Sequence, residues 1–247
     1  MPKESGLGDQ LFLDEYDLSG DIGSIGTISA PLGVLPATNI TQSAQARMPG
    51  MMDGAMAFSS YFNPDVGGPH DKLSALPRIS VYGSYFHRSV IGNPAASLLA
   101  KQVGYDGNRG ADGSYLLATN LTASDGVPLD WGRQLTAGKR TDTAATNGAS
   151  LDSGVVSTLF GWSAYLHVFS FTGTSVTITL QDSANDSVWA NLSGGAFTVL
   201  TAAGKERITA ASATATVRRY MRVITAGTFS SCVFAVNFVR NESLVAP

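Results

Sequence analysis

The chain has 247 residues, of which 44% are hydrophobic and only 14% charged, and its formal net charge is −3. That length suffices for one large domain or two ordinary ones, and a weakly acidic balance excludes a tight nucleic-acid binder, which needs a basic excess. A charge-poor surface costs little to desolvate, so the composition favours a protein that assembles with others over a solitary one.

Residues 1–10 read as a flexible N-terminal arm. They contain no apolar run of the kind a secretory signal needs, and no later run reaches the length of a membrane helix, so assembly in a cytoplasm without membrane contact is expected. Residues 11–29 are an extended, turn-rich entry. Between 30 and 54, Pro31, Gly33, Pro36, Pro49, Gly50 and Gly54 break any long element, and the stretch reads as loop. AMAFSSYF (55–62) is a strand with Met56, Phe58, Ser60 and Phe62 on one side. A broken connection follows, with one helical turn at DKLSAL, and then a strand over 79–86. The next segment carries helix signals. Asn93 suits an N-cap, Pro94 the first helical position, Ala95 to Gln102 are mostly good helix formers, and Gly104 offers a left-handed exit. The spacing predicts a helix over 93–103, packing Leu98 and Leu99 on a sheet. SYLLATNLTA (114–123) is a strand, and the small polar run TDTAATNGAS (141–150) reads as a linker or long surface loop.

Beyond 150 the texture is regular β. AYLHVFSFTG and TSVTITLQDS, separated by Gly-Thr, read as a hairpin. Val176, Ile178 and Leu180 alternate with Thr177, Thr179 and Gln181, as in a half-buried antiparallel strand. TVRRYMRVITAG (216–227) and SCVFAVNFVR (231–240) read as two more strands, the second with Phe234, Val236 and Phe238 toward the core. The expected fold is therefore mainly β: a barrel or sandwich over 11–140 with one flanking helix, a linker at 141–150, a C-terminal β-sandwich over 151–241, immunoglobulin-like or jelly-roll-like, and a tail at 242–247.

Chemistry-bearing residues are sparse. His70, His87 and His167 share no metal spacing and read as structural or exposed. Cys232 is the only cysteine, which excludes an intrachain disulfide and suggests a buried thiol. No nucleophile elbow, dinucleotide fingerprint or singled-out carboxylate pair is present, so no catalytic residue, cofactor or metal is assigned and no enzyme is expected. The run GYDGNRGADG holds Asp106, Asn108 and Asp112, but Arg109 in its middle favours a tight exposed turn over a calcium loop. Of Trp131, Trp162 and Trp189, the last follows a polar turn and is the best candidate for stacking on a sugar ring, against a plain packing role. Charge is uneven. Glu4, Asp9, Asp14, Glu15, Asp17 and Asp21 crowd the first 21 residues, and Lys205, Arg207, Arg218, Arg219 and Arg222 crowd 205–222. These are either solvated faces or complementary patches that meet between subunits. Arg218 and Arg222 share a face with Tyr220, while Arg219 joins Met221 and Val223, which marks the three arginines as subunit-interface candidates.

Four segments carry a family resemblance: LDEYDLSGDIGSI (13–25), MMDGAMAFSSYFNPD (51–65), IGNPAASLLAKQVGYDGNRGADGS (91–114) and LDWGRQLTAGKRTDTAATNGAS (129–150). They resemble the major tail proteins of long, non-contractile-tailed phages of actinobacteria. The resemblance implies a tail-tube β domain over 11–140, followed by an added module on the outside of the tube. It implies a structural subunit of the virion tail that forms hexameric rings, stacks them into a tube and meets the tape measure, the tail terminator and the baseplate or tip. Genomic DNA would pass through without specific binding. The alternative is a virion surface or adhesion protein that holds host cell-wall glycan through the C-terminal sandwich.

Overall fold

The computed structural model describes residues 5–154 and 156–243. In chain order the elements are β1 (Gln10–Leu13), β2 (Tyr16–Asp17), β3 (Ile22–Ser29), β4 (Leu32–Pro36), β5 (Arg47–Met52), β6 (Ala55–Tyr61), the short helix α1 (Pro69–Leu73), β7 (Val81–Phe86), β8 (Pro94–Arg109), β9 (Tyr115–Ala123), β10 (Asp130–Gln134), β11 (Arg140–Asp142), β12 (Leu151–Asp152), β13 (Trp162–Ser183), β14 (Ala190–Ala196), β15 (Gly204–Thr209) and β16 (Tyr220–Arg240). The protein is mainly β, with antiparallel pairing that does not close into a barrel and is consistent with a sandwich. Among the described residues no helix is long and apolar enough to cross a membrane.

The chain folds into two compact units, one of residues up to 19, 84–97 and from 131 onward, the other of 20–83 and 98–130. The expected segments, 11–140 and 151–241, do not coincide with them. Unit membership is decided by long-range strand pairing, which composition along the chain does not reveal.

The first unit is built on β13 and β16, which pair antiparallel from Trp162↔Arg240 to Ser183↔Tyr220. β14 and β15 lie along the other edge of β13, and β10, β11 and β12 lie along the other edge of β16. Val176, Ile178, Leu180, Phe234, Val236 and Phe238 are all buried in one core with Trp162, Leu166 and Val223. The core positions read along both segments are realised, but Thr179 on β13 and Ala235 and Asn237 on β16 are buried as well, so the facing side is covered too. The expected hairpin at 173–174 is not formed. β13 runs straight through it, and β16 likewise runs through 227–230. The reason is that the two breaks lie almost opposite each other. Gly173 faces Phe229, Gly227 faces Val176, and the register shifts there instead of turning. Gly227 sits at φ +133, and a Cβ on it would lie 2.3 Å from the Ser175 carbonyl oxygen. These glycines permit close backbone approach at paired bulges.

The second unit orders its strands β3-β6-β9, then the 98–109 part of β8. Met56, Phe58 and Ser60 of β6 are buried as expected, while Phe62 lies beyond the strand and is exposed. The helical turn read at DKLSAL is present as α1, starting with Pro69.

The helix expected over 93–103 is a strand instead, β8. Asn93 caps nothing. Its side chain donates to the His87 carbonyl, and its backbone N–H closes a turn onto Val90. Pro94 opens a strand, the other position where a missing N–H is tolerated, and its carbonyl accepts from His87 N–H. Ala95, Ala96, Ser97 and Leu98 are all fully buried, so consecutive side chains are covered on both strand faces. Helix propensity differs by only tenths of a kcal/mol among these residues and yields to that packing.

Residues 141–150, read as a linker, run along β16. Thr141 and Asp142 pair with Val233 and Cys232, and Asn147 bridges Ile224. Asp142 is buried and accepts from Arg140 Nε at 2.7 Å, from Arg140 Nη2 at 2.6 Å and from Thr225 Oγ1 at 2.7 Å. The end of the expected N-terminal arm is also anchored. Asp9 accepts from Arg88 N–H and from the Tyr85 hydroxyl, and pairs with His87. Residues 1–4 and 244–247 of the expected arm and tail lie outside the described residues.

Candidate functional site

The arginine cluster sits in the first unit, where β12, β13 and β16 run side by side. Arg219 makes a bidentate ion pair with Asp152, at 2.7 and 2.8 Å. It also lies over the Tyr220 ring. The Arg219 guanidinium, together with the Gly154 N–H, holds the Asp152 carboxyl down at about 2. Arg219 does not join Met221 and Val223 on the core face, because β16 begins only at Tyr220 and its alternation does not extend back to 219. The backbone N–H of Arg218 donates to Asp182 Oδ2 at 2.9 Å. Arg222 donates through Nε and Nη2 to Gln181 Oε1, and its guanidinium lies 4.3 Å from the centre of the Trp189 ring. Gln181 in turn donates to Asn191 Oδ1 at 2.8 Å. The result is a polar ladder across β16, β13 and β14, with a half-buried tryptophan beside it.

The other tryptophans separate by role. Trp162 is buried and stacks on Phe238, whereas Trp131 is 49% exposed. The acidic and basic clusters meet within the chain. Lys205 Nζ lies 3.0 Å from Asp14 and 3.2 Å from Glu15, and Lys139 pairs with Asp17. Burial opposes the charge on Lys205, but its two carboxylates raise its pKa overall. Lys205 is thus the member of the basic cluster that the acidic start of the chain meets, while Arg219 pairs with Asp152 and Arg222 with Gln181.

The histidines have separate environments. His70 meets the Tyr105 hydroxyl at 3.0 Å and packs against Phe62. His87 pairs with Asp9 at 2.8 Å. His167 is fully buried. Among the described residues no group of three or more His, Cys, Asp or Glu side chains could hold a metal ion. The GYDGNRGADG run forms the paired end of β8 (104–109) and the turn into β9, where Asp112 Oδ1 accepts from the N–H and the hydroxyl of Ser114. Cys232 is buried, and burial pushes its thiol up to about 11, far from a reactive thiolate.

The most exposed apolar feature is one that the sequence reading passed over as loop. β4 and β5 form a separate two-stranded ladder with register Leu32↔Met52 to Pro36↔Arg47. Val34 and Leu35, on opposite faces, are 59% and 51% exposed, and Met51 is 89% exposed. Gly33 and Gly50 face each other so closely that a Cβ on either would lie 3.2 Å from the other strand. At the tip, Asn39 Oδ1 accepts from Thr41 N–H and Oγ1. One face carries a cleft of about 440 Å³ lined by Val34, Pro36, Thr38, Gln45, Ala46 and Arg47. The prolines and glycines masked this arm, although a two-stranded ladder tolerates proline on its outer edges.

No family model matches this chain, and no curated protein matches it in sequence. Among solved structures, the Dit (gp 19.1) protein of SPP1, described as a hub adsorption apparatus in phages infecting Gram-positive hosts, superposes with a TM-score of 0.33. It is 13% identical over 94% of this chain and 99% of that one. A chain of the phage p2 baseplate in its activated conformation also gives a TM-score of 0.33, at 8% identity with strontium and 9% with calcium, each over 96% of this chain and 99% of that one. Superposition this loose carries no weight for the fold or role of this chain.

Proposed function

We propose that this chain is a structural, self-assembling subunit of a phage tail tube, one that forms hexameric rings and stacks them into the conduit for genome delivery. The observation that carries this reading is the β4–β5 arm. An isolated two-stranded ladder is marginal in water, and exposed apolar side chains on both of its faces are the mark of a surface covered in an assembly. Within residues 30–52 the only charged side chain is Arg47, so covering the arm desolvates almost no charge. β3, which among the described residues pairs only with β6, adds an open edge that a second copy can fill. The sequence resemblance supplies the tail-tube identity, with the tape measure, terminator and baseplate or tip as further partners. The weakly acidic balance of the chain suits a DNA conduit, because each cation on phosphate would retard passage. Negative-stain microscopy and sedimentation of the full chain, with tail initiator proteins present, should show rings or tubes. Replacing 32–52 by an Asn-Gly turn should leave a folded monomer. A native chain that stays monomeric at high concentration under those conditions overturns the reading.

A second reading is glycan binding at the Trp189 ladder. Gln181 Oε1 is already occupied by Arg222, so the ladder presents mostly donors beside an aromatic ring, a combination suited to the hydroxyls and apolar face of a pyranose. A glycan array with the full chain, compared with Trp189→Ala, tests it. Loss of signal in the variant supports the reading, and no signal from the native chain removes it.

A further inference from the structure

The core of the first unit contains an unbroken line of polar side chains that none of the readings above uses. His167 Nδ1 meets the Asp14 carbonyl at 2.5 Å. His167 Nε2 meets Ser84 Oγ at 2.7 Å, Ser84 Oγ meets Ser97 Oγ at 2.6 Å, and Asn237 Nδ2 donates to Ser97 Oγ at 2.8 Å. All four side chains belong to fully buried residues. Buried polar groups are retained only when bonded, and here the donors can be assigned one after another. A carbonyl only accepts, so the proton of the neutral ring is on Nδ1. Nε2 then accepts from Ser84, Ser84 accepts from Ser97, and Ser97 accepts from the Asn237 amide. One atom is left over: Asn237 Oδ1 is buried without a partner, directed at Gly132, where a Cβ would lie 2.5 Å from it.

We propose that this line is a reversible relay, an acid-responsive element whose hydrogen-bond direction is set by the charge on His167. A second ring proton, taken from solvent, sits on Nε2 and makes it a donor. Ser84 then accepts from the ring and donates to Ser97. Ser97 donates in turn to the Asn237 oxygen once the amide rotates by half a turn. That rotation exchanges the two amide atoms, bringing Oδ1 into the bond and setting Nδ2 in its former place facing Gly132, so the number of hydrogen bonds within the line is unchanged.

The surroundings oppose the charged form. The ring packs against Phe12 and Phe169, and Lys139 lies over the Phe169 ring. Lys205 stands opposite His167 on β15. Its charge is countered by Asp14 and Glu15 from the β1–β2 turn. The residue opposite on β16 is Ala235, without charge. Burial first, and the Lys205 cation after the contrary pull of the Asp14 bond, bring the ring pKa down to about 4. The relay therefore rests in its neutral direction and reverses only in acid.

The test is ¹⁵N NMR of full-length chain labelled at histidine, with His70→Asn and His87→Asn to isolate the His167 signals. At neutral pH the proton should be on Nδ1. Asn237→Asp ends the line in an ionised acceptor, which forces the reversed direction, so the His167 titration should rise by at least about tenfold in proton affinity. Adding Ser97→Ala to that variant should cancel the rise. Ser97→Ala alone removes the acceptor that a reversed Ser84 needs, and His167 should titrate lower still. A proton on Nε2 in the unmodified chain at neutral pH, or a titration indifferent to these substitutions, overturns the relay.

Discussion

At the scale of single residues, burial and pairing convert a chain poor in chemistry into one with a defined electrostatic interior. His167 shows the sign of the effect. Its folded pKa of about 4 lies below the unfolded value near 6.5, so the native state prefers the neutral ring. The associated stability is fully present above pH 6.5, is lost as the pH falls toward 4, and levels off below that, a total of about 3 kcal/mol. Urea unfolding at stepped pH should show this loss, and in His167→Gln that component should be missing. At its exposed ion pair Asp152 is held in the charged form instead, and its contribution also fades only as the pH falls, below the ordinary carboxylate range. The spacing of the three histidines along the chain shows no metal pattern. Their different fates were not legible there, since whether a ring meets an aspartate or lies buried among phenylalanines depends on segments far away in sequence.

At the scale of elements, glycine decides where strands continue. Gly173 and Gly227 look like turn residues, yet both lie inside long strands because each lets the facing backbone come close. Gly227→Ala would place a methyl against the Ser175 carbonyl at a backbone angle that side chains rarely adopt. It should lower stability by about 2 kcal/mol or more, read as a fall in the urea midpoint with an unchanged slope. Other elements were read correctly where apolar side chains recur at every second residue toward the core. Val176, Ile178 and Leu180 on β13 and Met56, Phe58 and Ser60 on β6 alternate as period-two strands must. β8 escaped that reading because Ala95 to Leu98 are buried on both faces and show no alternation. The β4–β5 arm escaped it for the opposite reason, since neither of its faces is buried.

At the scale of the whole molecule, protection should be graded. The β13–β16 pair is flanked on both edges and packed on a large core, whereas the β4–β5 arm is a two-stranded ladder in water. Hydrogen exchange of the unassembled chain should be slowest over 164–168 and 232–238 and fastest over 32–52, because opening the arm breaks few buried contacts. On assembly the arm amides should slow while the core is unchanged. The sequence by itself determined what depends on neighbours along the chain: a β protein, the inward faces of its amphipathic strands and a short helical turn near residues 71–73, although Pro69, read as a break, in fact opens it. Only the tertiary structure decided that 93–103 is a strand, that 141–150 is pinned to β16, and that the acidic start of the chain meets Lys139 and Lys205. Each of these is a pairing between residues distant in sequence. Its free energy comes from the surface and hydrogen bonds that the partner covers, and local propensity contains no information about which partner arrives.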